Sequence, residues 1–291
     1  MSGLGQWFGG AGGLGAAEVA FWLKTLVVGA VSGVLSGMFG IGGGMITTPA
    51  IRLLLGGSAI VAVATPLPII IPTALTGAVG YVRRGIADVR AGVIVGCSGA
   101  LAAVAGAWAT QWIGGSALMI ATAVLVMYMA FDMWLTGRRA GAARTPPPPP
   151  LTRPPAGDHP RADDGPPAGV RPLVLLGLGT GLYSGLLGLG GGFVIVPLLM
   201  RVFGFGTKRA IGTSLVAIAI LSVPGTITHA LLGHIDWRLA AGLSLGVIPG
   251  AWIGARVTAA ASERHVRAAF AILLVTVGVI MFANEAWVYF R

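Results

Sequence analysis

The chain has 291 residues, of which 55% are hydrophobic and only 10% charged, with a formal net charge of +10 and a mean hydropathy of +0.87. A soluble domain carries about 25% charged residues, so a water-soluble globular fold is excluded. The positive charge does not describe a nucleic-acid surface either, because Arg and Lys stand singly or in pairs between apolar runs, as orientation in a bilayer requires.

The elements follow in order. Residues 1–18 form a Gly-rich tail without a basic n-region, so the apolar run Val19–Met38 reads as a retained span rather than a signal peptide. A first transmembrane repeat, 19–136, holds segments at 19–40, 43–56, 61–82, 91–111 and 116–136. Residues 137–171 carry Pro146–Pro150 and several further prolines, a composition that cannot bury a core and reads as an extended cytoplasmic linker. A second repeat, 172–291, holds segments at 172–189, 191–204, 210–231, 238–257 and 268–287. Most reach toward the roughly 20 apolar residues that cross a hydrocarbon core of about 30 Å. Cys97 is the single cysteine and lies in an apolar stretch, so there is no disulfide framework.

The halves superpose without a gap. GVLSGMFGIGGGMITTP (33–49) lies over GLYSGLLGLGGGFVIVP (181–197), an offset of 148 residues, and Ala62, Thr65, Gly85, Asp88, Arg90 and Gly106 fall on Ala210, Thr213, Gly233, Asp236, Arg238 and Gly254. A register held this long is internal duplication. The second segment of each half is short and separated from the first by a Gly run, the pattern of broken transporter helices. With the linker cytoplasmic and five crossings per half, about nine basic residues outside the linker fall on the cytoplasmic side against Lys24, Arg52, Arg238 and Arg291 on the other. An odd number of crossings inverts the second repeat. The fold class is therefore an all-α polytopic membrane protein of two inverted five-segment repeats, about ten membrane segments. Eight full spans plus re-entrant Gly segments are the alternative, and that arrangement would make the repeats parallel.

Two glycine runs are the strongest candidate site. Gly42, Gly43 and Gly44 with Gly190, Gly191 and Gly192 can expose backbone N–H groups at the start of a short helix, where anions are favoured. Close helix packing through small residues explains the same glycines without a ligand. Ser36 and Ser184 precede the runs at equal register, Thr47 follows the first, and Thr65 and Thr213 open the third segments. Their hydroxyls either donate to an oxyanion or bond back to helical carbonyls. Arg52 is either a cationic ligand or a side chain snorkelling from a helix end. Pro66, Pro68 and Pro72 mark irregular backbone in the third segment, and Pro224 is set to do the same in its partner. Asp88 and Asp236 read as helix caps. His229, which stands where Tyr81 stands in the first half, either titrates during proton-coupled transport or sits at the interface. Carboxylates are scarce at span centres, and no metal-ligand cluster, Walker motif or acid–base pair stands out. The chain is therefore expected not to be an enzyme and to need no cofactor.

The doubled S-G-x-x-G-x-G-G-G-x-x-x-x-P, the following A-x-x-T and the G-x-x-D-x-R loop are carried here by Ser36–Pro49, Ala62–Thr65 and Gly85–Arg90, and by Ser184–Pro197, Ala210–Thr213 and Gly233–Arg238. They resemble the TauE/SafE sulfite exporter family. The resemblance implies a multi-pass permease of a prokaryotic plasma membrane, with sulfite, sulfonates and related small sulfur-containing anions as its substrate class. The expected function is secondary transport of such an anion by alternating access between the repeats. A permease for an unrelated metabolite or ion, and a non-transporting scaffold, are the competing expectations.

Overall fold

The computed structural model describes residues 15–113, 117, 118, 120–128, 131 and 169–289; residues 137–168 of the linker, whose last two residues already belong to the next helix, the N-terminal tail up to residue 14, Asp132 and Arg291 lie outside the described residues. Among the described residues the fold is helical. Repeat 1 comprises α1 (Ala16–Phe39), α2 (Gly44–Leu53), α3 (Ala59–Ala64), α4 (Pro66–Val82), α5 (Val89–Ala109), which ends in a 3-10 turn at Thr110–Trp112, and α6 (residues 120–128). Repeat 2 comprises α7 (Val170–Leu187), α8 (Gly192–Val202), α9 (Thr207–Leu231), α10 (Trp237–Ala260) and α11 (Glu263–Tyr289). Six of these helical stretches, α3 and α4 counted as one, are long and apolar enough to cross a membrane. Leu101, Leu175, Leu231 and Ile272 are at least two-thirds exposed. Large apolar side chains turned outward in this way belong against lipid.

The helix ends follow from the residues at them. α1 stops at Gly40 and α7 at Gly188, each in the left-handed conformation with its N–H bonded to the carbonyl four residues back, Ser36 and Ser184 respectively. Two further left-handed glycines reverse the chain in each repeat: Gly42 and Gly43 (φ 75° and 84°), and Gly190 and Gly191 (φ 73° and 85°). A β-carbon is disfavoured in that region, which accounts for the doubled Gly run. The Ser32 hydroxyl, eleven residues back, donates to the Gly43 carbonyl at 3.2 Å. The short helix therefore turns back along α1, and the two form a hairpin. Pro66 opens α4 directly after α3, but α4 runs unbroken through Pro68 and Pro72, so the irregular backbone expected of the three prolines is confined to the α3–α4 junction. Pro224 departs from expectation: α9 runs unbroken through it. A buried membrane helix tolerates a proline because neighbouring helices cover the backbone it disturbs.

Glycine faces join the repeats crosswise. Gly29, Gly33 and Gly37 of α1 lie against the backbones of Leu243, Val247 and Ala251 in α10. At the matching place Gly177, Gly181 and Gly185 of α7 lie against Val95, Gly99 and Ala103 in α5. Lipid removes the hydrophobic drive between helices, so this backbone-to-backbone approach through small residues supplies the cohesion. The rising numbers on both sides make each pair parallel. Along α4 and α9 the order is opposed, with Leu67 against Gly225, Leu215 against Gly77 and Tyr81 against Gly212. α4 runs with α10, since Thr65 meets Asp236 and Gly80 meets Ala255. α5 likewise runs with α9, since Gly92 meets Val216 and Gly96 meets Ile220. α1 and α7 are thus antiparallel and the repeats are inverted, even though α2 and α8 fold back in hairpins.

These directions gather Arg83, Arg84, Arg90, Arg171, Arg201, Lys208, Arg209, Arg256, Arg264 and Arg267 at one end of the bundle, and Lys24, Arg52 and Arg238 at the other. At the basic end Asp88 caps α5 by accepting from the Ala91 N–H at 2.9 Å and pairs with Arg209 at 2.8 Å. Both ion-pair side chains are about one-fifth exposed. Asp88→Ala removes a cap worth about 1 kcal/mol and leaves Arg209 without this carboxylate. Thermal unfolding in detergent should show a loss of roughly 1–3 kcal/mol, and Asp88→Asn, which keeps an oxygen for the cap, should lose less.

Candidate functional site

The two glycine turns meet midway along the spans of α3–α4 and α9. Ile70 of α4 lies against Gly42, Gly44 and Gly190, and its counterpart Ile218 of α9 lies against Gly42 and Gly192. A β-carbon at Gly44 would press on Leu189 and the Gly188 carbonyl, and one at Gly192 on Gly40 and Ile41. Most of the glycine run is therefore occupied in bringing two backbones together. The Ser214 hydroxyl of α9 reinforces this junction by donating toward the Gly40 carbonyl at 2.9 Å.

Gly43 and Gly191 differ from their neighbours. Each is the N-cap residue of its half-helix, with no side-chain cap. The first amides bonded in α2 are those of Ile46 and Thr47, both to the Gly43 carbonyl; in α8 they are those of Val194 and Ile195, to Gly191. The N–H groups ahead of them are the free donors of a helix N-terminus. A β-carbon at Gly43 would meet nothing nearer than Ser32 Oγ and Ser36 Cβ, both at 3.7 Å, with Ser36 Oγ at 3.8 Å. At Gly191 the nearest atoms are the Tyr183 hydroxyl at 3.4 Å and Ile195 at 3.5 Å. Small open spaces thus adjoin the two N-caps, the first bordered by the Ser32 and Ser36 hydroxyls and the second by the Tyr183 hydroxyl and the apolar side chains of Ile195 and Leu221.

The expected ligands divide into two groups. Ser36 and Ser184 are fully buried, and neither hydroxyl has a hydrogen-bond partner; Thr48 shares that condition, whereas the partly buried Tyr183 turns its hydroxyl to the Val194 backbone. The others are engaged. Thr47 donates to the Gly43 carbonyl at 3.0 Å. Thr65 accepts from the Asp236 N–H at 3.1 Å, and Thr213 from the Asp88 N–H at 2.9 Å, so each pins the loop that opens the other repeat's long helix. Arg52 reaches the Gly57 carbonyl at 3.4 Å beyond the end of α2. Sequence reasoning passed over Ser32 and Tyr183. Ser32 stands one helical turn before Ser36, a spacing that places both on one face, whereas Tyr183 carries no such signal.

His229 lies in the last turn of α9 and is fully buried within the protein, and its Nε2 lies 2.9 Å from the Gly185 carbonyl of α7. Tyr81 repeats this contact in the first half, donating to the Gly37 carbonyl of α1 at 3.3 Å. Among the described residues no three His, Cys, Asp or Glu side chains converge as metal ligands would.

The family described as sulfite exporter TauE/SafE matches residues 25–281. The chain is similar to the probable membrane transporter protein YunE of Bacillus subtilis, at 24% identity over 82% of this chain and 88% of that one. It is also similar to a probable membrane transporter protein of Xylella fastidiosa, at 26% identity over 88% and 93%. The probable membrane transporter protein MamO of Paramagnetospirillum magneticum is 38% identical over a shorter stretch, 30% of this chain and 14% of its own. No solved structure matches the chain.

Proposed function

Because the chain belongs to the TauE/SafE sulfite exporter family, a family of membrane permeases, we propose that it is a secondary transporter for a small sulfur-containing oxyanion such as sulfite or an organosulfonate. The anion is held at the half-helix N-termini by free N–H groups from Gly43–Met45 and Gly191–Phe193, with the Ser36 and Ser184 hydroxyls donating beside them. Neutral donors suit a carrier, since they hold an oxyanion without a fixed counter-charge to impede release. The pair of buried, partnerless serine hydroxyls at equal register is the observation that carries this reading. A buried hydroxyl left unpaired costs stability, and a bound oxyanion supplies the missing acceptor. A scaffold would account for the packed glycines but not for these hydroxyls. Thr65 and Thr213 serve as struts between the repeats, and Arg52 stays at its helix end.

The inverted repeats, swapped across α1–α10 and α5–α7, suit rocking of one bundle against the other around a central site. The gathering of basic residues supports a plasma-membrane orientation with that end and the linker in the cytoplasm.

Purified protein in liposomes is expected to move sulfite or methanesulfonate. Gly43→Ala and Gly191→Ala are expected to cost roughly 1–2 kcal/mol each for the left-handed backbone but to keep the fold, since neither methyl meets backbone of another segment, and to weaken anion binding about tenfold or more by filling the space beside the N-cap. Absence of transport of any sulfur oxyanion, together with unchanged anion binding in both variants, would overturn the proposal.

A further inference from the structure

His229 breaks the two-fold symmetry of the bundle at a point where the two repeats otherwise do the same thing. In both, the last turn of the central helix reaches a backbone carbonyl three residues before the first left-handed glycine of the turn: Tyr81 to Gly37 in repeat 1, His229 to Gly185 in repeat 2. The tyrosine contact has no proton to exchange near neutral pH. The histidine contact continues, because His229 Nδ1 lies 3.2 Å from Nδ1 of His234, in the half-exposed loop beyond α9.

A carbonyl only accepts, so the Gly185 contact requires the proton on His229 Nε2. In the neutral ring Nδ1 is then an acceptor, and His234 must donate to it. The chain thus holds a directed relay from the half-exposed loop to the backbone beside Ser184. A proton passed along this relay leaves His234 Nδ1 for His229 Nδ1 while His234 Nε2 takes its replacement from solvent; the net result is a charged ring that has no solvent exposure. Hydrating that ring requires α9 and α7 to part.

Among the described side chains, the charges on the loop and on the elements packed against α9 are committed or distant. Asp236, two residues from His234, caps α10 through the Arg238 and Leu239 amides, and Arg238 pairs with Glu18 of α1. On the elements packed against α9, Arg83 and Arg84 end α4, Arg90 opens α5, Arg171 opens α7, Arg201 ends α8, and Glu263, Arg264 and Arg267 open α11. All of these, with the Arg209–Asp88 pair, lie at the opposite end.

We propose that His229 and His234 form a proton-binding site whose loading loosens the seat of α9 on α7 next to the second glycine turn, making repeat 2 the proton-responsive half of the transporter. This rests on the transporter reading but not on the identity of the anion. Burial holds His234 below the ordinary histidine value. A group so shifted favours the packed arrangement while it is neutral. That contribution is present above about pH 6.5 and is lost as pH falls below it, so acid drives the parted arrangement.

Hydrogen exchange of the full chain in lipid nanodiscs, corrected for the intrinsic pH dependence, tests this without any substrate. Between about pH 7.5 and 5.5, which bracket the histidine range, amides of 186–195 should exchange about tenfold faster as the seat of α9 on α7 loosens. Amides of 38–47, anchored through Tyr81, should not change. His229→Tyr copies the repeat 1 contact and should abolish the acceleration while leaving the protein folded; His234→Gln, which lies outside the helix, should reduce it. Acceleration that persists in His229→Tyr, equal acceleration at 38–47, or slower exchange in acid would each overturn the proposal. Loss of anion transport with this exchange pattern intact would instead count against the anion site alone.

Discussion

Gly188→Ala should leave little folded protein, whereas Gly56→Ala should be tolerated. Both glycines are left-handed, at φ 68° and 70°, so a β-carbon costs roughly 1–2 kcal/mol at either. At Gly56 it meets nothing within 4 Å; at Gly188 it runs into the carbonyl of Val63 in α3. That neighbour is backbone in the other repeat and cannot step aside by changing a rotamer. Overpacking of this kind adds roughly 1–3 kcal/mol, and the combined loss is a large part of the 5–15 kcal/mol typical of folded proteins. Monodisperse yield and melting temperature in detergent should separate the two variants clearly. Equal behaviour would mean that the glycine turns do not meet as described. Gly40→Ala should follow Gly188→Ala, since its β-carbon would crowd Ile211 and Ser214, the matching junction in α9.

The pair Gly188 and Gly56 also marks how far the sequence could be read. The constant offset of 148 residues made the duplication legible, and the Gly runs announced left-handed turns, because few other residues fit them. Hydropathy placed the segments within a few residues of the observed helices, except for 116–136, whose far end lies outside the described residues. Asp88 and Asp236 were legible as caps for the same local reason. What was not legible depends on which surfaces meet. Gly29, Gly33 and Gly37 show a small-residue face at helical spacing, but nothing in that spacing says that the partner is α10 of the other repeat. Thr65 and Thr213 looked like ligands because hydroxyls at matching positions invite that reading. Their role as cross-repeat struts arises only once the loops of Asp236 and Asp88 are brought to them. Tyr81 and His229 were seen to correspond, yet their common task, a bond to the carbonyl of an opposing helix, exists only in the packed bundle. Pro224 misled for a related reason: the buried setting of α9 tolerates a proline that would end a helix in water.

Ser36→Ala and Ser184→Ala should weaken anion transport strongly without destabilising the protein. In most buried positions, losing a hydroxyl removes a hydrogen bond and costs stability; Ser214, bonded toward the Gly40 and Ile211 carbonyls at 2.9 and 2.8 Å, is such a case. Ser36 and Ser184 have no bond to lose. Each carries an unpaired buried oxygen, a condition that costs roughly 1–3 kcal/mol, so alanine should hold or raise the melting temperature of the anion-free protein. The same substitution removes a donor to a charged acceptor, an interaction of roughly 1.5–3 kcal/mol, and anion affinity should fall about tenfold to a hundredfold. Opposite signs for stability and binding distinguish a ligand from a packing residue. Melting curves with and without added sulfite, run beside anion uptake for Ser36→Ala, Ser184→Ala and Ser214→Ala, provide the comparison. If the first two lose stability as Ser214→Ala does and still transport, the hydroxyls are structural, and the oxyanion site at the glycine N-caps must be given up.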